Sequence, residues 1–553
     1  MTSLSTSTPA GGPLQTAARS VPIVRPWPEW ALCLALAALW FGCTAWLRPL
    51  AIPDEGRYVG VAWEMLRSGD WLVPTLDGLP FFHKPPLFYW ITAGSMAVFG
   101  PGVVAARAAA WLASTGMLTG LFVFTRRWGS ARQAWLTVAV LATAPLFYGA
   151  AQYANMDILV AACITAAILF FAHALLARSQ GLAHRTTLAA AFAAAALGVL
   201  AKGLIGAVLP LLVLAAWGLA TRRLGRVLAL LIWAPGCLLF AVIAAPWFIA
   251  VQHRFPGFGH YFFIVQHVDR YASGGFNNPQ PWWFYPIALL LLTLPWSPWL
   301  AAGLHRRDRD ASDRMPADLR TLMGVWVGVI VVFFSVPSSK PVGYILPALA
   351  PLAFLIADAA QRAGVGAAAR TLGSMRGATW SADKRFAATM LFAAAACVSL
   401  TVAAHFLQPK SRAALAEQLR VLKRPGEAVF FLANYYYDVS FYARLDEPVA
   451  VVDPWLPAEV AKDSWRRELS DAAQLAPNPS ARRRLLLPTE LAPALCRART
   501  SWLLGPSSVS SAAPAWLAGL MPVAQSGETA LWRVDTAASD VRAALHCDAG
   551  PAF

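Results

Sequence analysis

The sequence predicts an α-helical membrane protein with an odd number of spans, about eleven to thirteen, followed by a small α/β domain. Hydrophobic residues make up 58% of the chain and charged residues 13%, whereas a soluble domain carries about 25% charged residues. Apolar runs long enough to cross a bilayer recur along most of the chain. This composition excludes a soluble cytosolic enzyme, a disordered chain and a nucleic-acid-binding protein. A multi-span enzyme, a transporter and a channel remain open.

Basic clusters between the apolar runs predict the orientation of the chain. Arg126-Arg127, Arg222-Arg223 and Arg306-Arg307 all fall on the same side, together with residues 1–28, if eleven runs cross the membrane. Cytoplasmic loops carry an excess of Lys and Arg, so this side is predicted to be cytoplasmic. The segment 84–100 stays unplaced, because one further span there would invert every later loop. The runs lie near 29–49, 103–124, 131–151, 156–178, 186–201, 204–220, 227–250, 283–303, 320–336, 343–361 and 386–405.

The first loop on the opposite side, residues 50–85, contains a short amphipathic segment at 57–72. Tyr58, Ala62, Leu66 and Trp71 fall near one stripe of a helix over this segment. Such a helix either lies in the membrane interface or stands in solvent, and the sequence leaves both interpretations open.

The tail, residues 407–553, differs in character from the rest of the chain. It carries a net charge of +1, against +15 for residues 1–406. EAVFFLANYYYDVSFYARLDEPVAVVDP predicts a strand, a short helix and a strand, and TSWLLGP and TALWRVD predict two more strands. If the tail is extracytoplasmic, Cys496 and Cys547 are candidates for a disulfide. Without a recognisable catalytic motif, the tail is predicted to be a structural or acceptor-guiding cap.

Two adjacent acids, Asp54 and Glu55, follow the first span directly. Carboxylates at a membrane boundary are costly unless they are solvated or paired, which makes them functional candidates. The alternative is that Asp54 only caps the helix that follows. The predicted loops on the same side carry further polar groups, namely Asp157, Lys202, Arg270, Lys340 and Tyr344.

The first loop carries the motif PDEGRY at 53–58, followed by GDWLVPTLDGLPFFHKPPLFYW at 69–90. This pattern resembles the membrane glycosyltransferases of the GT-C fold that use polyprenyl-phosphate sugar donors. Within them it is most similar to the lipid A 4-amino-4-deoxy-L-arabinose transferases, and more distantly to the protein O-mannosyltransferases. The resemblance covers roughly residues 29–406. It implies thirteen spans, a bacterial inner-membrane location, and a first loop and tail (407–553) that face the periplasm.

The resemblance also implies roles for individual residues. The catalytic acid falls on Asp54, with Glu55 beside it, and Arg57, Lys84 and Arg270 would hold the donor phosphate. The substrate cavity would include Tyr58, His83, Asp157, Lys202, Lys340 and Tyr344. His83 departs from the family, in which an acid is expected at this position. Divalent metal candidates are Asp54, Glu55, His83 and His267.

The activity implied is inverting transfer of 4-amino-4-deoxy-L-arabinose from undecaprenyl phosphate to a lipid A phosphate of lipopolysaccharide, which would give polymyxin resistance. The phosphate leaving group needs no strong general acid, so no cofactor beyond the lipid donor is required for the chemistry. Two alternatives stay open. The first is the same fold with a hydroxyl acceptor, for which Asp54 would be a general base. The second is a lipid-linked sugar transporter.

Overall fold

A computed structural model describes residues 27–269, 279–304, 317–365, 381–406, 410–508 and 514–547. In these ranges, seven helices are long and apolar enough to cross a membrane, and a bent pair makes eight if it is counted as one span. The pair, Ala131–Ala142 and Pro145–Ala151, meets at an angle of 69° where Pro145 begins the second helix. The long helices are Ala108–Trp128, Met156–Ser179, Arg185–Lys202, Ala234–Arg254, Ala317–Ser335, Leu349–Arg362 with the 3-10 turn Val342–Ala348 before it, and Ala382–Phe406.

Three shorter apolar helices accompany them: Trp27–Gly42, Leu87–Phe99 and Ile205–Ala220. Every apolar run predicted from the sequence contains helix, and the run at 283–303 forms two short helices, Phe284–Leu292 and Pro298–Leu304. The unplaced segment 84–100 forms Leu87–Phe99, whose 13 residues are too few for a perpendicular crossing. The chain is thus a multi-pass helical membrane protein, and the number of spans stays a prediction.

The first loop is folded and buried. Its helix, Asp54–Ser68, ends at Gly69 in the left-handed conformation, with φ of 70°. A two-stranded hairpin, β1 (Thr75–Leu76) and β2 (Leu79–Pro80), turns at Asp77 and Gly78, which both have positive φ as a tight primed turn requires. The interpretation of the 57–72 segment as a solvent-exposed helix is wrong, because Val61, Glu64 and Met65 are buried and the Trp63 indole donates to the carbonyl oxygen of Leu445 in the tail. The interfacial interpretation stays a prediction.

The tail contains a six-stranded mixed sheet in the order β5-β4-β3-β6-β8-β7. Its strands are β3 (Ala428–Leu432), β4 (Ala450–Val452), β5 (Leu485–Leu486), β6 (Thr500–Pro506), β7 (Ala524–Ser526) and β8 (Thr529–Asp535). The strands β5, β4, β3 and β6 are parallel, and β8 and β7 run antiparallel beside them. All four strands predicted from the sequence are present, and the predicted short helix is Val439–Tyr442.

The remaining helices of the tail flank the sheet: Ala413–Leu422, Pro457–Val460, Trp465–Leu475, Leu491–Leu495 and Ser539–Ala544. Cys496 and Cys547 are joined by a disulfide, at the positions where the sequence places a candidate pair. Trp465–Leu475, called the tail helix below, faces the first loop. The other short helices of the membrane part are Val103–Ala106, Leu224–Leu231 and the π-helical turn His260–Asp269.

Candidate active site

A polar cavity of about 510 Å³ lies between the first loop, the ends of the membrane helices and the tail. The first loop, residues 155–157, Lys202 and the segment with Pro341 and Tyr344 line it, and the tail covers the remaining side. Eight residues predicted from the sequence line this cavity: Asp54, Arg57, Tyr58, His83, Lys84, Asp157, Lys202 and Tyr344. Residues separated by up to 290 positions in sequence are therefore assembled around one space.

Helix ends place the membrane side chains of the cavity. Asn155 caps the helix Met156–Ser179 by accepting the N–H of Asp157, which fixes Asp157 in the first turn. The helix Arg185–Lys202 ends at Lys202, and Gly203 follows with φ of 98°. Lys202 pairs with Asp157, and its ammonium lies 4.3 Å from the centre of the Tyr344 ring. This pair forms the part of the cavity wall that the ends of these two membrane helices supply.

Gly343 allows the segment before the helix Leu349–Arg362 to approach Asp157 closely. A Cβ atom at position 343 would lie 2.2 Å from Asp157 Oδ2. Only a residue without a side chain fits at that position unless Asp157 moves. The close approach brings Tyr344 onto Lys202.

Arg57 carries the central positive charge on the first-loop side. Its guanidinium lies 3.4 Å from Asp54 Oδ1 and 3.0 Å from Glu468 Oε1 on the tail helix. The side chain of Arg57 is 16% exposed and that of Asp54 is 41% exposed, so Asp54 faces the open part of the cavity. Asp54 is thus the carboxylate most accessible to a ligand in this group.

Glu468 and Tyr437 are cavity residues that the sequence analysis missed. The Tyr437 hydroxyl donates to Glu468 Oε2 at 2.6 Å, and the Arg57 guanidinium lies 5.1 Å from the Tyr437 ring centre. Burial raises the pKa of the Glu468 carboxyl, and the charge of Arg57 opposes this shift only in part. The available signal is the placement of Glu468 beside Leu469 and Ala472, on the buried face of an amphipathic helix.

Glu55 lies outside the cavity, which contradicts its predicted catalytic role. Its side chain is fully buried and pairs with Arg48 and Arg107. Burial opposes ionisation, but Arg107 and Arg48 outweigh it and lower the pKa of Glu55 to about 2. Adjacent residues on a helix point about 100° apart, so Asp54 faces the cavity while Glu55 points into the protein.

Three further predictions fall elsewhere. Lys340 does not line the cavity, because its ammonium is buried against the carbonyl oxygens of Gln280 and Pro337. Arg270 lies outside the described residues, and so does the side chain of His267. Among the described side chains, no three His, Cys, Asp or Glu residues are grouped as metal ligands would be, so Asp54, Glu55 and His83 do not form the proposed metal set.

Comparison with known proteins shows what the chain is similar to in sequence and in fold. Residues 48–262 match the family model of dolichyl-phosphate-mannose-protein mannosyltransferases. The chain is 36% identical over 321 residues to the undecaprenyl phosphate-α-4-amino-4-deoxy-L-arabinose arabinosyl transferase of Aeromonas salmonicida. It is 37% identical over 318 residues to the protein of the same name from Aeromonas hydrophila. These matches cover 57% and 56% of this chain and 56% of each relative, so the chain spans about half the length of the curated relatives it matches.

The fold is that of a solved aminoarabinose transferase. ArnT from Cupriavidus metallidurans, bound to undecaprenyl phosphate, superposes with a TM-score of 0.71 at 24% identity, over 95% of this chain and 99% of that one. The apo form of the same protein gives a TM-score of 0.69 at 23% identity. The predicted GT-C fold is therefore confirmed, as is the predicted resemblance to the aminoarabinose transferases.

Proposed function

We propose that the chain is an inverting glycosyltransferase that moves 4-amino-4-deoxy-L-arabinose from undecaprenyl phosphate to a phosphate of lipid A. The observation that carries the proposal is the cavity, in which Asp54 stands beside Arg57 with Lys84 and Lys202 on the same walls. The names of the curated relatives, and the undecaprenyl phosphate bound to the structural neighbour, support this donor. We place the first loop and the tail, residues 407–553, on the periplasmic face of a bacterial inner membrane, and the N-terminal tail in the cytoplasm.

The proposed chemistry is one displacement at the anomeric carbon. An oxygen of the acceptor phosphate attacks this carbon, the bond to the polyprenyl phosphate breaks, and its electron pair passes to the departing phosphate oxygen. Arg57 and Lys84 stabilise the charge that develops on that oxygen, because cations fixed in place before the reaction act more strongly than water, which must reorganise. The lipid donor supplies the leaving group, so the step requires no group besides the chain's own residues.

The role of Asp54 depends on whether the acceptor has to lose a proton. A phosphate is already ionised near neutral pH, so no proton has to be removed from it. Asp54 then orients the acceptor or pairs with the ammonium group of the aminosugar, which its 41% exposure allows. The resulting product would carry less negative charge on lipid A, which would weaken the binding of cationic peptides such as polymyxin.

Transfer to a hydroxyl group is the second candidate, since residues 48–262 match a protein mannosyltransferase family model. A hydroxyl acceptor must lose its proton during attack, so Asp54 would act as a general base. A lipid-linked sugar transporter fits the site less well, because its charged groups gather at one end of the helices rather than at the middle of the membrane.

Mass spectrometry of lipid A tests the proposal. The host is a polymyxin-sensitive Gram-negative strain that lacks its own transferase and makes the donor lipid. We expect lipid A to gain the mass of one aminoarabinose with the wild-type chain, and Asp54→Asn and Lys84→Ala to lower the product about 10²-fold, as loss of a preorganised charge does. Glu417→Gln, at an exposed tail position, and Lys423→Ala, at a half-exposed one, both lie outside the cavity and serve as matched controls.

The outcomes separate the candidates. An unchanged lipid A mass from an expressed wild-type chain contradicts the proposed acceptor and favours transfer to a hydroxyl group. Full product from both variants contradicts the assignment of the site.

A further inference from the structure

Glu55 is the centre of a buried charged cluster beneath the cavity. Glu55 Oε1 accepts from Arg107 Nε at 2.9 Å, and Glu55 Oε2 accepts from the second guanidinium nitrogen of Arg107 at 3.1 Å and from Arg48. The backbone N–H groups of Ala51 and Ala154 also donate to this carboxylate, each at 2.7 Å. The carboxylate therefore joins two parts of the chain that are 99 residues apart.

Both arginines of the cluster extend it to the surrounding backbone. Arg107, which is 1% exposed, donates to the carbonyl oxygens of Ala45, Arg48 and Pro49 at 2.6, 3.1 and 3.0 Å. Arg48 donates to the carbonyl oxygen of Gln152. The end of the first apolar helix, the first loop and the corner at 152–154 are thus connected through one set of buried hydrogen bonds.

The cluster is connected to the cavity through two segments of the chain. Asp54 precedes Glu55, and Ala154 precedes Asn155, the residue that caps the helix carrying Asp157. A displacement of either segment would change the separation between Asp54 and the Asp157–Lys202 pair. A misplacement of reacting groups by about 1 Å can cost about 10²-fold in rate.

We propose that Glu55 is a positioning residue that holds Asp54 and the Asp157–Lys202 pair at a fixed separation, through its bonds to Arg107, Arg48 and Ala154. The proposal rests on the proposed function, since the separation matters for a reaction carried out in this cavity. Glu55 contacts no ligand in this role. It acts through the two backbone segments to which it is bonded.

The Glu55→Gln variant tests whether the carboxylate positions the two segments through its hydrogen bonds or only fills the space between them. Glu55→Gln keeps the size of the side chain but replaces one acceptor oxygen with an N–H donor, which would face the donors of Arg48 and Arg107. A matched control is Asp358→Asn, since Asp358 is also buried between two arginines, Arg320 at 2.9 Å and Arg362 at 3.2 Å, and does not line the cavity.

The test compares the full-length variants, purified in detergent, by hydrogen–deuterium exchange and by transfer kinetics. We expect Glu55→Gln to speed exchange in the peptides covering 50–58 and 150–158, and to lower kcat about 10²-fold. The binding of undecaprenyl phosphate should weaken less than kcat falls, because Arg57 and Lys84 remain. Asp358→Asn should lower the unfolding temperature without changing exchange in these peptides or kcat.

The outcomes distinguish this proposal from the proposed function. Unchanged exchange at 150–158 in Glu55→Gln overturns the positioning role, as does a kcat equal to that of the wild type. If exchange is faster at both segments in Glu55→Gln but the wild-type chain shows no transfer, the connection through Glu55 is supported and the proposed function is contradicted.

Discussion

Arg57 is held in place by side chains from two distant parts of the chain. Asp54 lies one helical turn away from it, whereas Glu468 and Tyr437 come from the tail. A buried arginine that would bind a phosphate has to be kept both charged and oriented. Glu468 provides the countercharge at 3.0 Å, and Tyr437 in turn fixes the carboxylate at 2.6 Å.

Removal of the Tyr437 hydroxyl should therefore affect both stability and activity. Tyr437→Phe keeps the ring beside Arg57 but removes the hydrogen bond to Glu468. We expect the free energy of unfolding to fall by about 1.5–3 kcal/mol, the usual contribution of a hydrogen bond to a charged group. We also expect kcat to fall about tenfold, equivalent to about 1.4 kcal/mol in the barrier, as Arg57 loses its fixed orientation.

Tyr442→Phe is the matched control for this prediction. The Tyr442 hydroxyl accepts the N–H of Leu50 at 2.8 Å and does not line the cavity. This variant should lose stability while its kcat stays at the wild-type value. An equal loss of kcat in both variants would mean that Tyr437 acts through general stability rather than through Arg57.

For individual residues of the site, the sequence predicts those that belong to a local motif. The PDEGRY and HKPP motifs, through the family resemblance that they carry, predict Asp54, Arg57 and Lys84, and the structure brings them to one cavity. The predicted catalytic role of Glu55 is wrong, because its position next to Asp54 in sequence does not show which face of the helix its side chain takes. Glu468 was missed because its partner, Arg57, is 411 positions away, and no local pattern marks that pairing.

Two glycines set the packing between neighbouring membrane helices. A Cβ atom at Gly206 would lie 2.1 Å from the backbone carbon of Gly198, in the preceding helix. Small residues at helix interfaces allow this close approach in membranes, where packing rather than hydrophobic burial drives association. The contact lies near Lys202, so it also fixes the end of the helix that carries a cavity residue.

A methyl group at this contact should force the two helices apart. We expect Gly206→Ala to lower the free energy of unfolding by about 1–3 kcal/mol, the usual cost of overpacking. Gly116→Ala is the control, because a Cβ atom there meets nothing within 4 Å. Thermal unfolding in detergent measures both. A Gly206→Ala protein as stable as the Gly116→Ala protein would contradict the close contact.

The presence of a helix can be predicted from the sequence more readily than its bends or its burial. Length and hydropathy are properties of one segment, so each apolar run was predicted correctly as helical. The 69° bend before Pro145 and the burial of the first-loop helix depend on what packs against them. The first-loop helix has an amphipathic sequence, but its polar Glu64 is buried because it accepts the N–H groups of the hairpin turn.

The tail and the membrane domain form one folded unit through the first loop. Asp77 at the hairpin turn accepts the N–H of Val449 at 2.8 Å, and Arg484 donates to the carbonyl oxygen of Asp77 at 3.0 Å. A Cβ atom at Gly56 would lie 3.1 Å from the backbone nitrogen of Asp438, so the first-loop helix also contacts the tail closely. The sequence predicts a structural or acceptor-guiding cap, and the contacts make the tail a wall of the cavity.

The buried acid pair at this junction should make its stability depend on pH. Burial and the nearby charge of Glu64 raise the pKa of Asp77 to about 8, whereas Val449, Arg484 and Arg67 act in the opposite direction. Asp77 Oδ2 has no hydrogen-bond partner among the described residues. Between the unfolded pKa of about 4 and pH 8, the folded state holds a proton that the unfolded state has lost. The stability of the junction is thus complete below about pH 4 and falls as pH rises to 8.

Asp77→Asn should remove most of this dependence, because asparagine stays neutral while its amide oxygen still accepts the N–H of Val449. We expect the variant to match the wild type in unfolding temperature at or below about pH 4 and to exceed it by a growing margin as pH rises to 8. Asp540→Asn, at an exposed position in the tail, is the control and should leave the pH profile unchanged. Thermal unfolding of the full chain in detergent across this range is the measurement. A wild-type profile that rises with pH would show that Asp77 is ionised in the folded protein. The contact between the first loop and the tail would then depend on Arg484 and Arg67 rather than on a protonated carboxyl.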